Sequence, residues 1–225
     1  MKEIKAIFIV AWHSKYNPWA NKDWLDERTI VKQIADNVYN KIKSNIKTYN
    51  IWINEDISLQ NKVKIINELS KKNNYTVDNS IVIEIHINAW GGTWIEVLWY
   101  TDYMPFRELW FLLVEHICKT TKLKDRWLKS WDKFYIIKNT TPLAVIIENG
   151  FIDTEKDREL LKNNINSFSD WIYNWLKEYI WFEENKTLSF EEMFNNEKNR
   201  ADWLEYENKE LKDRLVKIDK IIHNK

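Results

Sequence analysis

Glycine is nearly missing from this chain, with only Gly91, Gly92 and Gly150 among 225 residues. That scarcity excludes a collagen repeat, the GxGxxG turn of a dinucleotide fold and the Walker A phosphate loop, which need several glycines at set spacings. Cysteine is single. Cys118 has no second thiol for a disulfide, a thiolate zinc cluster or a CxxC pair, and its apolar-patterned segment FLLVEHICK suits a buried thiol. An excess of one charge is also lacking, because 34 basic and 34 acidic side chains cancel. No overall field therefore draws the protein to nucleic acid or anionic lipid. Long apolar runs are absent too, since no stretch reaches the roughly 18 residues of a membrane span. The opening MKEIKAIFIVAWH has a short apolar run and reads as a first strand, not an export signal. The expectation is a soluble chain made in the cytoplasm without a signal peptide, with no nucleic-acid partner and no integral membrane segment.

What is present is enough to fold. Hydrophobic residues make up 44% and charged residues 30%, which allows a sizeable core. The length suits one large domain, or one domain with an appendage. The segment at 4–10, IKAIFIV, reads as a strand buried on both faces, and Ile30, Ile34, Val38 and Ile42 then recur at helical spacing. A short strand at 49–53, a helix over about 59–73 and the β-branched run SIVIEIHI at 80–87 complete a second strand–helix–strand unit. Further strands are expected at 94–100, 133–137 and 143–147, a helix at 107–119 and a last helix at about 155–180. This alternation predicts a three-layer α/β domain whose mostly parallel, twisted sheet of about six strands is flanked by helices.

Composition shifts after residue 182. Of the 43 residues from 183 to 225, 20 are charged. Leu204, Leu211 and Ile218 repeat every seven residues, Ala201, Leu215 and Ile222 hold the offset positions, and Asn208 interrupts the seam. Two arrangements fit this charged helical tail. One is a short coiled coil joining two copies or holding another protein, and the other is a single amphipathic helix. The expected division is a domain at 1–182 and a tail at 183–225.

Several polar groups fall at strand ends. His13 follows the first strand, His86 lies near the end of SIVIEIHI, and Glu148 closes LAVIIE just before Asn149 and Gly150. Open α/β sheets grip ligands beyond the carboxyl ends of their strands. Glu27 opens the first helix, and the connection at 11–26 is long enough to bring it to the same edge. His13, Glu27 and His86 match the three protein ligands usual in catalytic zinc sites, although their spacing is no local motif. Each also has a plainer role: His86 as a core histidine, His13 as a loop residue, Glu27 as a first-turn helix acid. Glu148 is harder to assign to packing, because a buried carboxylate needs a cation or hydrogen-bond donors.

These segments together resemble the zinc-dependent N-acetylmuramoyl-L-alanine amidases, peptidoglycan-cleaving enzymes of bacterial wall remodelling and phage lysis. The opening strand with His13 is similar to the family's strand and metal-binding histidine, and LDERTIVKQIA to the segment supplying its acidic ligand, here Glu27. IVIEIHINA resembles the strand ending in a second histidine, GGTWIEVLWY the glycine-led strand after it, and TTPLAVIIENGFIDTEKDRELL the strand carrying the catalytic glutamate, here Glu148. The likeness runs in order from about Lys5 to Ile180. The chain departs from the pattern at Trp12, Ser14 and Lys15 around His13, at Trp127 after Arg126, and in the enlarged segment KKNNYTVDNS. No proposed ligand is lost.

The resemblance implies Zn2+ held by His13, Glu27 and His86, Glu148 as general base and acid, and peptidoglycan as substrate, cut between N-acetylmuramic acid and L-alanine. Without an export signal two settings are open: a phage-type endolysin released onto the wall by a membrane pore, which is the expected one, and a cellular enzyme that leaves by a nonclassical route or acts after lysis. Two other functions fit the same sequence: a catalytically silent wall-binding or scaffolding protein, and a zinc peptidase cutting elsewhere in the stem peptide. Among 14 tryptophans, Trp12, Trp19, Trp24, Trp90, Trp94 and Trp127 fall in or beside predicted strand-end loops, where stacking on substrate and ordinary packing are both available.

Overall fold

A computed structural model describes residues 4–12, 21–22, 25–51, 57–89, 91–99, 113, 124–130 and 134–185. His13, Cys118, Trp19, Trp24, Trp90 and the tail from 186 onward lie outside the described residues, as does all of the expected 107–119 helix except the helical, buried Leu113. The chain divides into two units, Met1–Trp181 and Phe182–Lys225.

The strands are β1 (Ala6–Ala11), β2 (Asn21–Lys22), β3 (Leu25–Asp26), β4 (Thr48–Asn50), β5 (Ser80–Asn88), β6 (Trp94–Trp99), β7 (Lys124–Ser130) and β8 (Leu143–Phe151). Six of them form one sheet in the order β4-β1-β5-β8-β6-β7, and β2 and β3 make a separate antiparallel pair. From β4 to β8 neighbouring strands run parallel, β6 is antiparallel to β8, and β7 is parallel to β6. The expected α/β sheet is thus present, mostly parallel, and β1, β5 and β8 are its buried centre.

Both faces of those strands are covered, which is why they read as continuous apolar runs. On one face Ile7, Ile9, Ile81, Ile83, Ile85, Val145 and Ile147 pack with α1 (Glu27–Ile42) through Ile30, Val31, Ile34 and Val38. The same cluster includes Phe168, Trp171, Ile172 and Trp175 of α5 (Ile165–Asn185). On the other face Phe8, Val10, Val82, Ala144 and Ile146 pack with Val63 and Ile66 of α2 (Leu59–Asn73). Ile136 and Ile137 of the short α3 (Tyr135–Asn139) join this second cluster. The caps follow from sequence: Asp26 accepts from the Thr29 amide at the start of α1, Ser58 from the Asn61 amide at α2, and Asn74 ends α2 in the left-handed region.

Three expectations change. Of the strand expected at 133–137, the described residues 134–137 lead into α3 instead, because the adjacent Ile136 and Ile137 both join one apolar layer, and a run this short has no distinguishing period. The sixth strand is instead β7, KDRWLKS, whose charged sequence carries no strand signal and whose identity comes from its register with β6. The last helix is two, α4 (Glu155–Asn163) and α5, parted at Asn164, where ψ turns to 30° at a φ of −131°.

Candidate active site

The site lies at the carboxyl ends of β5 and β8. Parallel register places His86 directly beside Glu148, and the antiparallel register of β6 places Glu96 on the other side of Glu148. His86 and Glu148 are both buried, with Nδ1 of the ring 3.8 Å from Oε1 of the carboxylate. The ring of Trp12 stacks on that of His86 at 4.4 Å and 26°. Trp12 therefore packs inside the site, one residue before His13.

Glu27 is brought to the same strand end. Only 3% exposed at the first turn of α1, it accepts a hydrogen bond from the Ile87 amide at 3.0 Å, so its carboxylate sits beside the backbone just after His86. A first-turn acid with no further duty would be solvated. The structure brings Glu27, His86 and Glu148 together, three of the four residues singled out from sequence.

Four participants were not anticipated. Glu84 is fully buried in β5, with Oε2 3.2 Å from Nε2 of His86. Glu96 is buried opposite Glu148. Lys62, buried in α2, donates to the Ala11 carbonyl at 2.6 Å, and Asn149 donates to the His86 carbonyl at 3.1 Å. Just after β4 the Ile51 amide donates to the Ile9 carbonyl, and Lys62 serves the Ala11 carbonyl two residues further along β1. A signal existed for Glu84 and Glu96, each a single carboxylate inside an otherwise apolar strand. Lys62 carries no such mark, since charge on a half-apolar helix usually means solvent.

These charges shape one another. Burial pushes Glu148 up to about 7; the charge of His86 opposes the rise, while Glu27, Glu96 and Glu84 add to it. Burial lowers His86, but Glu84, Glu148 and Glu27 outweigh it and leave the ring's affinity for a proton raised. Among the described residues five carboxylates, Glu27, Glu84, Glu96, Glu148 and Asp157, and two basic groups, Lys62 and His86, are buried. Such an excess of carboxylate suits a cation. No group of three His, Cys, Asp or Glu among the described residues is arranged to hold a metal. The described donors, an imidazole and a carboxylate, fit zinc as two members of a larger set.

The floor of the site is tied down by the β8–α4 turn. Gly150 has φ of +100°, and a Cβ there would lie 3.2 Å from Oδ2 of Asp157, the oxygen that accepts from the Phe151 amide. Asp153 accepts from the Gly91 amide at 2.7 Å, and the Thr154 hydroxyl donates to the Gly92 carbonyl, linking this turn to the β5–β6 connection. An open hollow of about 520 Å³ near Tyr39, Lys43 and Lys47 lies at the opposite end of the sheet and shares nothing with this chemistry.

The family model of the N-acetylmuramoyl-L-alanine amidases matches residues 7–177, which include every element of the site. The chain belongs to this family. It is 26% identical over 159 residues to the N-acetylmuramoyl-L-alanine amidase CwlM of Bacillus licheniformis, covering 70% of this chain and 61% of that protein. The sporulation-specific N-acetylmuramoyl-L-alanine amidase of Bacillus subtilis (strain 168) is also 26% identical over 159 residues, with 70% and 60% covered. The match thus spans about three fifths of these two relatives. Among solved structures, the N-acetylmuramoyl-L-alanine amidase from Clostridium difficile 630 superimposes with a TM-score of 0.69 at 19% identity, covering 82% of this chain and 100% of that one. At that identity the amidase likeness is one of fold.

Proposed function

We propose that this amidase-family chain hydrolyses the amide joining the lactyl group of N-acetylmuramic acid to L-alanine in peptidoglycan. The observation that carries this reading is the meeting of His86, Glu148 and Glu27 at one strand end, inside the region matched by the family. His13, Glu27 and His86 would hold the zinc ion; when bound, zinc lowers the pKa of water and polarises a carbonyl.

The chain's own residues supply the rest. Glu148 takes the proton of the attacking water as the carbon–oxygen bond forms, and returns it to the nitrogen as the carbon–nitrogen bond breaks. The products are a lactyl carboxylate and a free L-alanine amino terminus. Burial raises the proton affinity of Glu148, which suits a carboxylate that must take a proton and hand it on. Trp12 and Asn149 hold the ring and backbone of His86 in place, and burial keeps bulk water from Glu148.

The test is Glu148→Gln. Release of free L-alanine amino termini from purified peptidoglycan should fall about 10²- to 10⁴-fold, with zinc content unchanged. Wild-type turnover in this variant would remove Glu148 from the reaction. Mass analysis of wild-type fragments separates muramoyl-alanine cleavage from a cut further along the stem peptide, and binding without any fragments would indicate a silent wall-binding protein.

A further inference from the structure

We infer that Glu84 is a positioning residue for His86, holding the imidazole proton on Nε2 so that Nδ1 presents its lone pair on the side of Glu148. The inference rests on the zinc reading above for its consequence, but its geometry stands on the described residues alone.

Glu84 occupies a place where the fold calls for an apolar side chain. Its register partners are Val10 on β1 and Ile146 on β8, its nearest same-face predecessor in β5 is Val82, and it is fully buried. Burying a carboxylate among such neighbours is costly unless a specific partner offsets it. The partner is two residues along the same face: Oε2 lies 3.2 Å from Nε2 of His86, within ion-pair range. The other ring nitrogen faces the opposite way, 3.8 Å from Glu148. One carboxylate therefore addresses each nitrogen.

The two carboxylates differ in what they can do. Glu84 is sealed in the strand layer, whereas Glu148 lies at the strand end beside Glu27's anchor at Ile87. A carboxylate acceptor on one nitrogen favours the tautomer protonated there and raises the donor strength of the other. Stacking on Trp12 and the Asn149 bond to the His86 carbonyl restrict the ring's other motions. The remaining freedom, which nitrogen carries the proton, falls to Glu84.

The experiment uses the full chain with ¹⁵N-labelled histidine, and zinc affinity measured by chelator competition. In the wild type, ring ¹⁵N shifts should show the proton of neutral His86 on Nε2, with zinc perturbing Nδ1. Glu84→Leu should bind zinc about 10- to 100-fold more weakly and show mixed tautomers. Glu84→Gln, which still offers an acceptor oxygen, should restore both. A wild-type proton on Nδ1, or wild-type zinc affinity in a folded Glu84→Leu, overturns the inference. The wild-type tautomer decides it even where the leucine variant does not fold. Absence of zinc binding by the wild type would instead defeat the metal reading above, leaving the tautomer to judge Glu84 by itself.

Discussion

Asp157 shows how one side chain links the site's floor to stability. It is buried in the first turn of α4 and accepts from the Phe151 amide, and burial lifts its pKa from 3.8 to about 6 against the effect of that amide. The folded state therefore binds more protons than the unfolded chain between about pH 4 and pH 6. This group's contribution is most favourable below pH 4 and declines as pH rises to 6, by about 3 kcal/mol in all. Asp157→Asn keeps an acceptor for Phe151 and removes the titration. Urea melts at pH 4 and pH 7 should show a smaller loss of stability in the variant than in the wild type, and equal losses would reject the assignment. Glu148→Gln and the Glu84 variants belong to the same scale. Asp157 is buried beside the Phe151 amide, whereas Glu148 and Glu84 address different nitrogens of His86, so each should fail in a different readout: stability against pH, turnover, and zinc affinity.

Helix α1 connects packing to chemistry at the scale of an element. Its apolar stripe of Ile30, Val31, Ile34 and Val38 holds it on the sheet, while its first residue, Glu27, enters the site. The Asp26 cap accepts from the Thr29 amide at 3.2 Å and the Thr29 hydroxyl at 2.8 Å, which sets the helix start at Glu27. Asp26→Ala should lower unfolding free energy by about 1 kcal/mol, read from denaturant midpoints. If the first turn also frays, zinc affinity falls with it, although Asp26 touches no ligand. Strands β1, β5 and β8 were legible because burial on both faces leaves a continuous β-branched run. Strand β7 was not, because Lys124, Asp125, Arg126, Lys129 and Ser130 carry no apolar period and only pairing with β6 makes them a strand. The segment at 133–137 erred the other way, as adjacent isoleucines suit either a strand or a helix until the layer they face is known.

For the whole molecule, the sheet order brings residues from four distant stretches to one edge: Trp12, Glu27, His86 and Glu148. No helix among the described residues is long and apolar enough to cross a membrane. The 183–225 segment remains a proposal of a charged helical tail, and its heptads make a measurable claim. If they pair two chains, the full protein sediments at twice the mass expected from its sequence while residues 1–182 sediment as a monomer. A monomeric full chain rejects the coiled coil as a self-association device. The wall as site of action and release by lysis are likewise proposals, carried by the family and by the substrate it implies.

Strands β1, β5 and β8 and helices α1 and α2 were legible in sequence, and Glu27, His86 and Glu148 could be singled out there, because each leaves a local trace: an apolar run, a helical period, or a polar residue near a strand or helix end. The environment of those residues has no local trace. Glu84 against His86, Glu96 against Glu148 and Lys62 against Ala11 pair groups 2, 52 and 51 positions apart. Whether a charge is solvated or buried beside a partner depends on which faces the tertiary fold closes. Desolvation then decides the chemistry, raising Glu148 toward neutrality and setting Glu84 behind the histidine it addresses.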